Sequence, residues 1–307
     1  MHEDDTTPVH SLPERAADAH KGTAGTVTIV GGCAAAGVRM TGAPALAARA
    51  ALRAGAGLAK VVAPAPVLGE ILTIEPSATG VELPVNTSGE PIGHEAAAII
   101  DEAALGAGCL AVGCGLGTAG TEPVVVRAIT QLDAPVVLDA DGINSLAQVR
   151  EFGLDLRAPT VLTPHPGEFD RLTASLGLPG GGRSHEDRAA QASELARHLG
   201  CIVVLKGIGT VVTDGLRCWR CDRGHPCLAT AGTGDVLTGL IASLIAQYSP
   251  ASGIPTSPMK PLSLYQAARV GVLAHAIAGE AWAEAHADAG LRAQELADLI
   301  PGALRPR

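Results

Sequence analysis

The chain has 307 residues, enough for one large α/β domain or two small ones, and 47% of them are hydrophobic. Aromatic residues make up only 2%, so the core must be built from Ala, Val, Leu and Ile, which suits helices packed closely on a parallel sheet. A formal net charge of -9 with no basic run speaks against a protein that lives on nucleic acid, and no stretch approaches the ~18 consecutive apolar residues of a membrane span.

Residues 1–25 are polar and acidic, the reverse of a secretory signal, and are expected to form a mobile arm. Residues 26–307 show no shift in composition and no repeat, so a single domain is expected there. "GTVTIVGG" reads as a β-branched strand ending in glycine. "TGAPALAARAALRAGAG" reads as a helix with Pro44 in its first turn and Gly55 or Gly57 as its stop. "LAKVVAP" returns as a strand, which completes a β-α-β unit. The pattern recurs in "CLAVGCGLG", "APVVLDADGIN", "APTVLTPHPGEFDRL" and "GCIVVLKGIGTVVTDG", the last turning into a hairpin toward "LRCWRC". Helical patterns fill the C-terminal part, interrupted by the Pro/Ser-rich loop "YSPASGIPTSPMKPLS". Continuous apolar strands separated by helices predict a parallel sheet covered on both faces, with ligands gathering at the carboxyl ends of its strands.

The polar clusters fall at those ends. In "TAGTGDVLTG", the amides of Gly232, Thr233 and Gly234 precede an apolar helix whose positive end favours an anion, and Asp235 lies in its first turn. The pattern suits phosphoryl transfer, with Asp235 accepting a proton from a hydroxyl. The structural alternative is that Asp235 merely caps its helix. In "VVLKGIGTVV", Lys206 leaves a buried strand and enters a turn of Gly207, Ile208, Gly209 and Thr210, where it can meet a nucleotide phosphate. The alternative is a surface lysine at a hairpin. Asp139, Asp141 and Asn144 follow one strand, and His165 and Glu168 another. Such oxygen ligands suit Mg²⁺ shared with phosphate, while simple capping accounts for each singly. Cys218, Cys221, His225 and Cys227 raise the question of zinc, although they crowd into ten residues of one hairpin rather than two spaced pairs. Seven cysteines without an export signal point to reduced thiols in a cytoplasmic protein.

Taken in order, "LPERAADAHKGTAG", "GGCAAAGVRMTGAPALAARAALRAGAGL", "VGCGLGT", "VVLDADGIN", "VLTPHPGEF", "VVLKGIGT" and "ATAGTGDVLTGLIASLIAQ" resemble the ADP- or ATP-dependent NAD(P)H-hydrate dehydratases of the ribokinase-like superfamily, from about Leu12 to Ala287. The resemblance implies a three-layer α/β fold with a large, mainly parallel central sheet. It also implies ADP-dependent removal of water from (S)-NAD(P)H-hydrate, with ADP (or ATP) as phosphoryl donor, Mg²⁺ as cofactor, and a homotetramer. Carried over, Ala43, Gly115, Gly117, Asn144, His165 and Asp235 would meet the hydrated dinucleotide. Lys206, Gly207, Ile208, Gly209, Thr210, Gly232, Thr233 and Gly234 would hold the nucleotide, with Glu168 as a metal ligand. The short arm implies that epimerisation of the other stereoisomer falls to a separate epimerase. Four places depart from the family pattern: Cys33 for a serine, Met40 for a tyrosine, Cys114 for a proline, and "CDRGHPCL" where two asparagines are usual. These leave open a small-molecule kinase of the same fold, or a non-catalytic nucleotide sensor.

Overall fold

The computed structural model describes residues 3–9, 11–15, 17–35, 37–149, 156–180, 187–253 and 261–305. In chain order the elements are β1 (Glu3–Asp4), β2 (Thr26–Val30), α1 (Gly42–Arg53), β3 (Leu58–Pro64), α2 (Ala65–Ile74), β4 (Thr79–Leu83), α3 (Gly93–Ala104) and β5 (Cys109–Val112). There follow α4 (Glu122–Thr130), β6 (Val136–Leu138), α5 (Ala140–Leu146), β7 (Thr160–Leu162), α6 (Pro166–Ser175), α7 (Arg188–Leu199) and β8 (Ile202–Leu205). The chain closes with β9 (Val211–Thr213), β10 (Arg217–Arg220), α8 (Thr233–Tyr248), α9 (Leu264–Ala285) and α10 (Ala293–Ala303).

All strands join one ten-stranded sheet in the order β1-β10-β9-β8-β7-β6-β5-β2-β3-β4. Every pair from β8 through β4 is parallel, and β9 runs against both of its neighbours. The central strands are buried along their whole length, as their unbroken apolar sequences require. One face carries a core contributed by α1, α2, α8, α9 and α10; the other carries the core of α3 to α7. This is the three-layer α/β arrangement expected from the sequence. Small side chains let the layers approach closely. A Cβ on Gly239 of α8 would stand 2.1 Å from the Ala47 carbonyl oxygen of α1. Gly239→Ala is therefore expected to lower stability by at least ~1–3 kcal/mol, the usual range for overpacking, measured by chemical denaturation.

The arm, expected to be mobile, makes specific contacts with the rest of the fold. β1 pairs in parallel with the outer edge of β10. Asp5 accepts hydrogen bonds from the Tyr265 hydroxyl (2.9 Å) and from the almost fully buried Arg269 (2.8 Å). Arg15 donates to the Gln247 side chain (2.9 Å), and Val9 and Leu12 pack on the adjoining core. The sequence hid this because the anchoring partners lie more than two hundred residues away. Residues 254–260 of the Pro/Ser-rich loop before α9 lie outside the described residues.

Candidate active site

β2, β5, β6, β7 and β8 are parallel neighbours, so the segments that follow them emerge along one edge of the sheet. The residues singled out in the sequence gather on that edge because of this topology. α8 lies on the sheet beneath the edge. It is apolar nearly all round because it packs against strands on one side and against α1 and α9 on the other. Its sole acid, Asp235, stands in the first turn, where the helix comes out toward the strand ends.

Asp235 does not cap its own helix. The N-cap is Gly232, in the left-handed region at φ 90°, and no side chain caps α8. The preceding loop is fastened from outside instead. The Thr233 hydroxyl donates to the carbonyls of Leu228 and Thr230 (both 2.9 Å), and His275 Nε2 lies 2.9 Å from the Thr233 carbonyl. Burial lowers the His275 pKa to about 4, so the ring is neutral at pH 7. Burial, then the charge of Asp139, push the Asp235 carboxyl up to about 6, against the opposing pull of the Cys114 thiol and Lys206. At pH 7 a carboxyl with this pKa is mostly ionised, and a desolvated carboxylate of that kind is a competent proton acceptor.

Lys206 is the second centre. Its Nζ donates to Asp139 Oδ1 at 2.6 Å and lies 3.9 Å from Glu168 Oε2. Asp139 is buried. Its Oδ1 also accepts from Thr163 (2.8 Å) and its Oδ2 from Thr238 of α8 (2.8 Å). Burial works against the Lys206 ammonium, but Asp139 and Glu168 outweigh it and its pKa is raised. The ammonium stands beside the glycine loop, 3.4 Å from where a Gly234 Cβ would be. Lys206, Gly234 and Asp235 are thus brought together, and the reading of Lys206 as a loose surface residue fails. Asp139 was read as one of several acids at a strand end. The structure makes it the fixed counter-charge of Lys206.

Glu168 takes the structural alternative weighed for it. It forms a capping box with His165 at the start of α6: Glu168 Oε2 accepts from the His165 amide (2.8 Å), and His165 Nδ1 accepts from the Gly167 and Glu168 amides. Burial raises its carboxyl to about 7, with Lys206 opposing and Asp139 adding to the rise. Of the carboxylates expected to serve Mg²⁺, Asp139 thus accepts from three donors and Glu168 from the His165 amide of its cap. Among the described residues, the carboxylates and thiol close enough to share an ion are Cys114, Asp139 and Asp235.

Next to these lies the turn after β5. Gly115 (φ 61°) and Gly117 (φ 70°) adopt left-handed conformations, and a Cβ on either would crowd Ala43 and Met40, or the Cys33 sulfur. The Gly117 amide donates to Asp141 (2.9 Å), which contacts Asn144 (3.4 Å), which in turn accepts from Arg171 (2.9 Å). Thr118, Asn144, Ala147, Gln148 and Arg171 line an open cavity of about 390 Å³. Ala140, between the inward Asp139 and the outward Asp141, is the one non-glycine residue at positive φ among the described residues (48°). A strained residue between two acids of a site is a recurrent feature of functional loops.

The sequence profile of NAD(P)H-hydrate dehydratases matches residues 27–302. The chain belongs to this family. It is similar to the bifunctional NAD(P)H-hydrate repair enzyme Nnr of Moorella thermoacetica, 35% identical over 96% of this chain and 52% of that protein. It therefore spans about half the length of that relative. The ADP-dependent (S)-NAD(P)H-hydrate dehydratase of Bacillus subtilis is 33% identical over 95% of this chain and 93% of its own length. A crystal structure of the B. subtilis ADP/ATP-dependent NAD(P)H-hydrate dehydratase, co-crystallised with ATP/Mg²⁺, superimposes with a TM-score of 0.75 at 31% identity, covering 95% of this chain and 93% of that one. Arabidopsis thaliana ribokinase shares the fold alone, at a TM-score of 0.54 and 13% identity over 92% of this chain and 99% of that one.

Within this dehydratase family member, the unusual cysteines form no metal centre. Cys218 lies in the core on the α3–α7 side of the sheet, whereas Cys221 and Cys227 lie in the core on the other side. The Cys227 thiol donates to the Gly279 carbonyl (3.3 Å), and His225 Nδ1 accepts from the Cys227 amide. The departure in "CDRGHPCL" thus serves to fold the approach to the glycine loop. Among the described residues, no helix is long and apolar enough to cross a membrane.

Proposed function

We propose that this protein catalyses ADP-dependent dehydration of (S)-NAD(P)H-hydrate, restoring NAD(P)H. The carrying observation is the juxtaposition of an acid that caps no helix, Asp235, with a partly buried ammonium, Lys206, across Gly234. The relatives' names supply the substrate class. In this reading Asp235 takes the proton of the ring hydroxyl as its oxygen attacks the terminal phosphorus of the nucleotide. The P–O bond to the remaining nucleotide breaks, and a phosphate ester forms. Phosphate then leaves with the C–O electron pair, pushed out by the ring nitrogen. Loss of a proton from the neighbouring carbon restores the double bond.

Lys206 and the leading amides of α8 offset charge on the transferring group. The Lys206–Thr210 turn and the Gly232–Gly234 loop hold the nucleotide. Ala43, Gly115, Gly117, Asn144 and His165 face the dinucleotide, part of which the cavity beside Asn144 has room to receive. Mg²⁺ would enter with the nucleotide phosphates, and Asp139 and Glu168, the hard-oxygen groups beside Lys206, would hold it, largely through water. The ion supplies charge neutralisation at the phosphates. Cytoplasmic residence and a homotetramer complete the proposal, supported by the family resemblance.

The test follows recovery of near-ultraviolet absorbance from hydrated NADH on addition of ADP and Mg²⁺, with assay of released inorganic phosphate. A kinase that stops at the ester leaves a phosphorylated substrate and releases no phosphate, which would overturn this reading. The pH dependence has a definite sign. The base works ionised, so kcat/KM is expected to fall about tenfold per pH unit below the Asp235 pKa of about 6. An acid limb at the ordinary carboxylate value of about 4 would contradict a desolvated base.

A further inference from the structure

Arg188 opens α7 behind the Lys206–Thr210 turn and is only 5% exposed. Its guanidinium spans three carbonyls there. One terminal nitrogen donates to Leu205 (2.9 Å) and Lys206 (2.8 Å), and the other to Ile208 (3.1 Å). Nε has no hydrogen-bond partner, and among the described residues no carboxylate pairs with the charge. Burial, then the nearby Arg220, lower its pKa.

We propose that Arg188 is a positioning residue that sets the peptide planes of the Lys206–Thr210 turn for nucleotide binding; this rests on the reading of that turn as the nucleotide site. In a trans peptide the carbonyl and the following amide point in opposite directions. Where Leu205 points its carbonyl at Arg188, the Lys206 amide points the other way and donates to Pro164 (2.9 Å). By the same geometry, the carbonyls of Lys206 and Ile208 drawn inward by Arg188 turn the amides of Gly207 and Gly209 outward, toward an approaching anion. Gly207 (φ 135°) and Gly209 (φ 65°) permit that path, and a Cβ on Gly207 would stand 2.9 Å from the guanidinium. The Ile208 side chain is 84% exposed, so its burial contributes little to holding the turn. A lysine in place of Arg188 would keep the charge but lose the planar fork that reaches three acceptors at once.

The experiment measures ADP binding by calorimetry, and KM for ADP and for the hydrated dinucleotide, in the full chain and its Arg188→Ala and Arg188→Lys variants. Both variants are expected to weaken ADP by about tenfold or more, the scale of lost charge-assisted hydrogen bonds, with KM for the dinucleotide moved by less than about twofold. ADP affinity equal to wild type in either folded variant overturns the proposal, and so does equal weakening of both ligands. If Arg188→Ala fails to fold, Arg188→Lys decides. Hydrogen exchange of the wild-type protein with and without ADP tests the underlying reading separately. If ADP leaves the amides of residues 206–210 unprotected, the nucleotide site itself is misassigned.

Discussion

Asp235→Asn is expected to lower kcat by at least ~10²-fold, the scale of a lost general base, while the thermal midpoint holds or rises. The two parts of this expectation have separate causes. Asn has the shape of Asp but cannot take the hydroxyl proton, so the transfer step loses its acceptor. The fold should tolerate the change because Asp235 caps no helix and its charge is held against burial and against Asp139. For a carboxyl whose folded pKa is raised to about 6, ionisation costs stability as pH rises from the unfolded value of 3.8 through 6. The variant should therefore gain stability relative to wild type above pH 6, and the gain should fade below pH 4. Denaturation midpoints across that window, measured beside turnover, check both parts. Substantial activity in the Asn variant would remove Asp235 from the reaction; a large loss of stability would make it a structural residue.

Lys206→Met should do the opposite to stability. It leaves the Asp139 carboxylate buried without its counter-charge, and breaking such a pair typically costs ~3–5 kcal/mol. The two hydroxyl donors on Asp139 remain, so the loss is expected at the lower end of that range. Turnover should also fall, because the same ammonium faces Gly234, where the transferring phosphate is proposed to lie. The double variant Lys206→Met/Asp139→Asn separates the effects. Removing the stranded charge should recover much of the stability and none of the activity. If stability recovers together with activity, Lys206 acts only through the fold; if neither single variant changes stability, the ion pair is not formed in solution.

The strands and the edge they serve were readable because both are encoded locally. A continuous apolar run flanked by glycines specifies a strand buried on two faces, and the polar residues just beyond it must lie where that strand ends. Asp235 and Lys206 were found this way, whereas the capping box that ties His165 to Glu168 emerged only from the structure. The motifs of the dehydratase family supplied the substrate that is proposed. β4, whose pattern is largely exposed, and β1, two residues long, carried too little local signal to be seen.

What tertiary structure alone decided are relations between residues distant in the chain. Lys206 and Asp139 are 67 residues apart and meet only because β8, β7 and β6 lie side by side. The order of strands also parted Cys218 from Cys221 and Cys227, on opposite faces of the sheet, which sequence spacing alone could not show. The docking of the arm on Tyr265 and Arg269 and the reach of Arg188 under the Lys206–Thr210 turn belong to the same class. A side chain's chemistry and its local conformation are set by its neighbours along the chain. Its charge state, its partner and the direction it faces depend on burial and strand order, which long-range packing fixes.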